Sequence, residues 1–220
     1  DDVTAASAAP LPSATTDAAR ADAKAAFVAA NPESRARFEA AARVMPGGNT
    51  RTVLFYDPFP LCIARGEGAR LWDVDGHAYL DFLGEFTAGI FGHSDPHIRS
   101  TAAIEAALDQ GINLSGHNTL EAELAALVCA RFPAVEQVRF TNSGTEANLL
   151  ALAAATVHTG RKKVLVFQGA YHGGVLSFGA GPAPVNVPHD WVMAPYNDLA
   201  RAEALIAQHA GALAAIIVEP

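Results

Sequence analysis

The chain has 220 residues, 50% of them hydrophobic and 17% charged, with 18 Gly and 13 Pro. That balance excludes general disorder and fibrous repeats, and the length gives room for one large domain or one and a half of ordinary size. The formal charge of −8, from 23 acids against 15 bases, argues against a nucleic-acid partner, which would call for a basic stripe. The one basic run, Arg161-Lys162-Lys163, opens an apolar strand-like segment and reads as its solvated start.

Cys62 and Cys129 are far apart and form no C-x-x-C pair. They read as free thiols in a reducing compartment, so a cytoplasmic location is expected. No apolar stretch approaches the ~18 residues that span a bilayer, so no membrane partner is expected. Residues 1–12 are rich in Ala, Ser, Thr and Asp, without the basic and apolar regions of a secretory signal.

In chain order, residues 16–30 are Ala-rich and predict a helix, which Asn31-Pro32 ends. A second helix is predicted over 33–44, and Pro46-Gly47-Gly48 breaks it. Residues 49–60 form a long irregular stretch with Arg51, Phe55, Tyr56 and Phe59. A loop of that length usually has a job. Residues 61–64 predict a strand. The runs 70–74 and 77–82 flank Asp75-Gly76, a hairpin signal in which both central residues tolerate positive φ.

From Ser94 helices and strands alternate. Ser94-Asp95-Pro96 predicts a helix start, with Ile104 and Leu108 at i, i+4 and Gly111 as the stop. Leu120, Leu124, Leu127 and Val128 give an i, i+4, i+7, i+8 stripe and a helix over 119–131. Strands are predicted at 137–141, 163–167, 191–194 and 214–218, with helices at 144–158 and 198–209. The continuous apolar runs Val164–Phe167 and Ile216–Val218 suit strands buried on both faces. The pattern predicts an α/β fold with a mostly parallel sheet flanked by helices, preceded by a small α+β segment. The expected divisions are 1–30 as lead-in and helix, 31–92 as the small segment, and 93–220 as the start of the large domain.

Ligands of open α/β sheets bind beyond the carboxyl ends of the strands. Three tips lie there: Thr141-Asn142-Ser143-Gly144-Thr145-Glu146-Ala147-Asn148, Gln168-Gly169-Ala170-Tyr171-His172-Gly173-Gly174, and Glu219-Pro220. Ser143, Gly144 and Thr145 stand at a strand-to-helix turn, where unpaired N–H groups and the helix dipole favour a phosphate. The same residues fit a capping box, Ser143-x-x-Glu146, and the two readings can coexist. Tyr171 reads either as a core aromatic or as a ring that lies flat on a planar cofactor. His172 lacks a second ligand at metal-binding spacing. His93 and His97 straddle Pro96 and read as structural. Glu219 is open between an exposed carboxylate and a polar partner near a ligand.

Together these tips resemble the motifs of class III aminotransferases, pyridoxal phosphate (PLP)-dependent enzymes of fold type I. The likeness covers about 31–220 and extends to Val44–Gly48, Leu71–Gly76 and Gly92-His93, which are similar to the glutamate-1-semialdehyde aminomutase subgroup. Runs such as Arg51–Tyr56, Gly111–Leu114 and Pro195–Asp198 resemble the β-phenylalanine (β-amino acid) aminotransferases most. The resemblance implies PLP as cofactor, its phosphate on Ser143, Gly144 and Thr145, Tyr171 stacked on its ring, and Glu219 in the polar network beside it. It gives His172 a supporting role. It implies amino-acid and keto-acid substrates and a homodimer.

For a β-amino acid the carboxylate lies one bond further from the reacting carbon, and Arg51, in an apolar loop, suits it as a bidentate anchor. Phe86 suits an aromatic wall. The Schiff-base lysine is missing: Lys24, Lys162 and Lys163 are the only lysines, and none stands at the ligand edge. The resemblance places that lysine beyond Pro220, as if the chain were the first half of an enzyme. The expected function is amino transfer from an aromatic β-amino acid such as β-phenylalanine to a keto acid. The alternatives are a glutamate-1-semialdehyde 2,1-aminomutase and, from another class, a non-catalytic fragment.

Overall fold

Helix-favouring Ala-rich runs and a Pro at the first helical position produce the first two helices, α1 (Ser13–Ala30) and α2 (Pro32–Ala42). The computed structural model describes residues 13–50, 54–98, 101–111 and 114–220. The chain divides into two compact units, Asp1–Ile112 and Asn113–Pro220.

In the first unit, β1 (Ile63–Glu67), β2 (Arg70–Asp73) and β3 (Ala78–Leu80) form an antiparallel sheet in that order. The strand predicted at 61–64 starts two residues late. Side chains intercept its first amides: Leu61 N–H donates to the Tyr56 hydroxyl at 2.7 Å and Cys62 N–H to Ser34 Oγ at 3.2 Å.

The Asp-Gly hairpin forms, but with a different turn. Only Gly76 has positive φ, +93°. Its N–H donates to the Asp73 carbonyl at 3.3 Å, and Asp73 N–H donates to the His77 carbonyl at 3.1 Å. This is a three-residue loop closed by a left-handed glycine, in place of a two-residue turn.

Asp75 is thereby freed for another task. Its carboxylate accepts from Glu33 N–H at 2.8 Å, Ser34 N–H at 3.0 Å and Ser34 Oγ at 2.6 Å. It supplies the N-terminal cap that α2 lacks from its own Asn31.

Buried Asp73 accepts from the His77 amide at 2.8 Å and the Tyr79 hydroxyl at 2.7 Å, and pairs with His77 Nδ1 at 2.9 Å. Burial pushes its carboxyl up, but the Tyr79 and His77 hydrogen bonds outweigh that and hold it below the usual carboxylate range. Burial and the Asp73 charge push the Tyr79 hydroxyl up to about 12. A lowered folded-state pKa adds stability that is complete above the unfolded value of about 3.9 and is lost as pH falls through the folded value. Asp73→Asn should therefore lower stability at pH 7 and flatten its decline below about pH 4, read by urea unfolding at both pH values.

The helix predicted from Ser94-Asp95-Pro96 begins later, as α3 (Thr101–Asp109). Asp95 Oδ1 accepts from His97 N–H at 2.8 Å and Ile98 N–H at 3.3 Å, which closes a local side-chain turn there. His93 Nε2 lies 2.6 Å from Asp81 Oδ2.

The second unit begins with α4 (Thr119–Arg131), capped by Asn118, whose side chain accepts from Glu121 N–H at 3.0 Å. Leu120, Leu124 and Leu127 of its apolar stripe are exposed, Leu127 to 68%, while Val128 is half-buried. Residues 137–141 form no strand, because no described residue pairs with them. After α5 (Gly144–Thr159), which a left-handed Gly160 ends, come β4 (Lys163–Phe167), β5 (Asp190–Ala194), α6 (Leu199–His209) and β6 (Leu213–Ile216).

The sheet is parallel in the order β5-β4-β6. Its centre, Val164-Leu165-Val166, is fully buried. Val164 and Val166 join Leu152 of α5, Leu176 and Phe178 in one cluster, while Leu165 joins Leu205 of α6, Val192, Ala194 and Leu213 in the other. Alternate side chains of one strand thus hold a helix on each face. Among the described residues no helix is long and apolar enough to cross a membrane.

Candidate functional site

A parallel strand ends where its last amide pairs, so the chain beyond β4 and β6 and the start of α5 share the carboxyl edge of the sheet. The three tips do meet there. Glu219 Oε2 accepts from Tyr171 N–H at 2.9 Å. Thr145 Oγ1 accepts from Gly174 N–H at 3.1 Å. Asn148 Nδ2 donates to the His172 carbonyl at 2.8 Å. Gly173, at φ +138°, lies so close to Thr145 that a Cβ there would stand 2.8 Å from the Thr145 Cα. Only glycine allows this approach.

The start of α5 is both a cap and an open helix terminus. Ser143 Oγ accepts from Glu146 N–H at 3.1 Å, and Glu146 Oε2 accepts from Asn142 N–H at 2.8 Å. The box thus closes one residue earlier than its usual partner, the cap residue's own amide. It leaves the amides of Gly144 and Thr145 with no acceptor among the described residues. The Ser143 and Thr145 hydroxyls, each already accepting, keep a proton to donate. A Cβ on Gly144 would meet nothing within 4 Å, so the space beside the first residue of the helix is open. Two amides, two hydroxyls and the helix dipole suit a phosphate.

Beside this terminus, Tyr171 is 46% exposed. It is no core aromatic, and its ring is available to a planar group. His172 is 8% exposed, and its Nε2 is buried without a partner among the described residues. Burial lowers its pKa below the usual histidine value, opposed by the nearby Glu219 charge, so the imidazole is held neutral. A phosphorylated aromatic ring fits this donor set: anion donors on one side, an exposed ring on the other.

The cluster is built from residues of the second unit. Arg51 lies outside the described residues. Phe86 belongs to the first unit, where it is exposed and in the left-handed region at φ +56°. Of the three lysines, Lys24 pairs with Asp57, Lys163 Nζ lies 3.0 Å from Asp190 Oδ2 at the amino ends of β4 and β5, and Lys162 directly precedes β4. Sequence reasoning did not assign Asn148 a role. The available signal was a carboxamide inside an otherwise Ala- and Leu-rich helical run.

The chain is similar to known proteins in sequence and in fold. The chain is 61% identical over 204 residues to the beta-phenylalanine transaminase of Variovorax paradoxus, a match covering 93% of this chain and 46% of that protein. It superposes on the crystal structure of a beta-phenylalanine aminotransferase from Variovorax paradoxus with a TM-score of 0.87 at 60% identity, over 93% of this chain and 47% of that one. It is 43% identical over 201 residues to the glutamate-1-semialdehyde 2,1-aminomutase of Dichelobacter nodosus, covering 83% of this chain and 46% of that protein. The chain spans about half the length of these relatives. The model of the class-III aminotransferase family matches residues 55–220, which take in the whole of the carboxyl-edge cluster, and the chain belongs to that family, with the α/β architecture of the fold-type I enzymes.

Proposed function

We propose that the protein is a PLP-dependent aminotransferase that moves an amino group from an aromatic β-amino acid, such as β-phenylalanine, to a keto acid. The observation that carries this reading is the 61% identity to a beta-phenylalanine transaminase, against 43% to an aminomutase.

Ser143, Gly144 and Thr145 hold the cofactor phosphate with the free donors of α5. Tyr171 offers a stacking surface, and Glu219 fixes it through its main-chain amide. When bound, the cofactor supplies an electron sink for the carbon that carries the amino group. Neutral His172 adds no positive charge beneath the site. Arg51 anchors the substrate carboxylate and Phe86 forms part of the wall for its phenyl group. A cytoplasmic homodimer completes the proposal; the free thiols Cys62 and Cys129 suit a reducing compartment, and light scattering of the purified protein tests the dimer.

The test is a steady-state assay of the full-length protein with β-phenylalanine and a keto acid. Product that depends on both supports the proposal, and isomerisation of glutamate semialdehyde without an acceptor contradicts it. In the same assay Arg51→Ala should cost about 2–4 kcal/mol in kcat/KM, as for loss of a desolvated charged pair, while cofactor content stays unchanged. Full activity in that variant would remove Arg51 from the substrate site.

A further inference from the structure

Three side chains fasten the turn that carries Tyr171. Glu219 holds the Tyr171 amide, Thr145 holds the Gly174 amide, and Asn148 holds the His172 carbonyl. Thr145 and Glu219 already belong to the proposed cofactor site. Asn148 does not. It lies four residues into α5 from Gly144, half-buried, away from the open donors at the helix start.

Its presence there has a cost. Asn is a poorer helix former than the Ala and Leu around it. The 2.8 Å bond to the His172 carbonyl offsets this, and it is the one hydrogen bond that carbonyl makes among the described residues. The His172 ring packs against Phe178, and its Nε2 has no described partner. The hydrogen bond from α5 to the His172 carbonyl is thus made by the Asn148 carboxamide, beside the Thr145 contact with Gly173 and Gly174.

We infer that Asn148 is a positioning residue that sets the spacing between the anion-binding start of α5 and the Tyr171 ring. The inference rests on the PLP reading above. Phosphate and ring are covalently joined in that cofactor, so a site that grips both must hold its donors and its stacking surface at a matching separation. Asn148 touches neither end of the ligand. It acts through the peptide that precedes Gly173 and follows Tyr171.

The test uses the full-length protein and two variants. Asn148→Asp keeps the side-chain size and replaces the donor with a carboxylate that repels the His172 carbonyl. Asn148→Ala removes the donor while raising helix propensity, so helix loss cannot explain its phenotype. Three quantities are read: the Kd for PLP from visible absorbance, the visible circular dichroism of the bound cofactor as a gauge of ring tilt, and the affinity for inorganic phosphate from its competition with PLP. Both variants should raise the Kd for PLP about tenfold, the scale of one buried hydrogen bond. They should also change the dichroism, with inorganic-phosphate affinity kept within about twofold. Unchanged PLP affinity and dichroism, or equal losses for PLP and phosphate, would overturn the inference. A wild-type protein that takes up no PLP would instead contradict the proposed function itself.

Discussion

Gly173→Ala should separate the Tyr171 turn from α5. The added methyl meets the Thr145 backbone and side chain, with the Cα at 2.8 Å, and the backbone there sits at φ +138°, where an L side chain is strained. Overpacking and backbone strain each cost about 1–3 kcal/mol, so the local loss should be about 3 kcal/mol or more. Neither side can move cheaply. Thr145 is in the first turn of α5 and accepts the Gly174 amide, while the turn is held behind by Asn148 and Glu219. Hydrogen exchange should show residues 168–178 losing protection while β4 keeps it, and PLP binding should fail. Normal protection with normal cofactor content would mean that the turn does not lie against Thr145.

Gly144→Leu should do the opposite: spare the fold and abolish cofactor binding. Gly144 has an ordinary helical φ, and a Cβ there meets nothing within 4 Å. Leu is also the better helix former. Stability should change by no more than about 0.5 kcal/mol. The leucine would fill the space in front of the free amides of Gly144 and Thr145. A charge-assisted hydrogen bond contributes about 1.5–3 kcal/mol, so losing even the equivalent of one or two should weaken PLP on the order of 100-fold. Cofactor occupancy equal to wild type would place the phosphate elsewhere.

The parts of the fold that were legible in the sequence are those specified locally. β4 was marked by Val164-Leu165-Val166-Phe167, because burial on both faces leaves no polar alternation. The bounds of α4 follow from the apolar period of Leu120, Leu124, Leu127 and Val128, although its leucines are exposed. The start of α5 was legible for the same reason: a cap and a glycine at a helix terminus carry their meaning within four residues.

What was not legible depends on distant partners. Residues 137–141 alternate Val138 and Phe140 between polar residues as a strand would, but a strand exists only where another pairs with it. The late start of β1 depends on the hydroxyls of Tyr56 and Ser34, and Ser34 lies 28 residues from the amide it receives. Asp75 was read as a turn residue, yet its carboxylate caps a helix 41 residues earlier in the chain. Asn148 falls in the same class, since its carbonyl partner lies 24 residues on.

Amino transfer from a β-amino acid by way of a cofactor held at the start of α5 has a directly visible consequence. A single-turnover experiment reads it. The full-length protein, loaded with PLP, is mixed with β-phenylalanine in the absence of any keto acid, and the visible absorbance of the cofactor is followed. The absorbance should fall as the amino group passes to the protein-bound cofactor, and return when a keto acid is added. An absorbance that β-phenylalanine leaves unchanged, in a protein demonstrably loaded with PLP, would contradict the account.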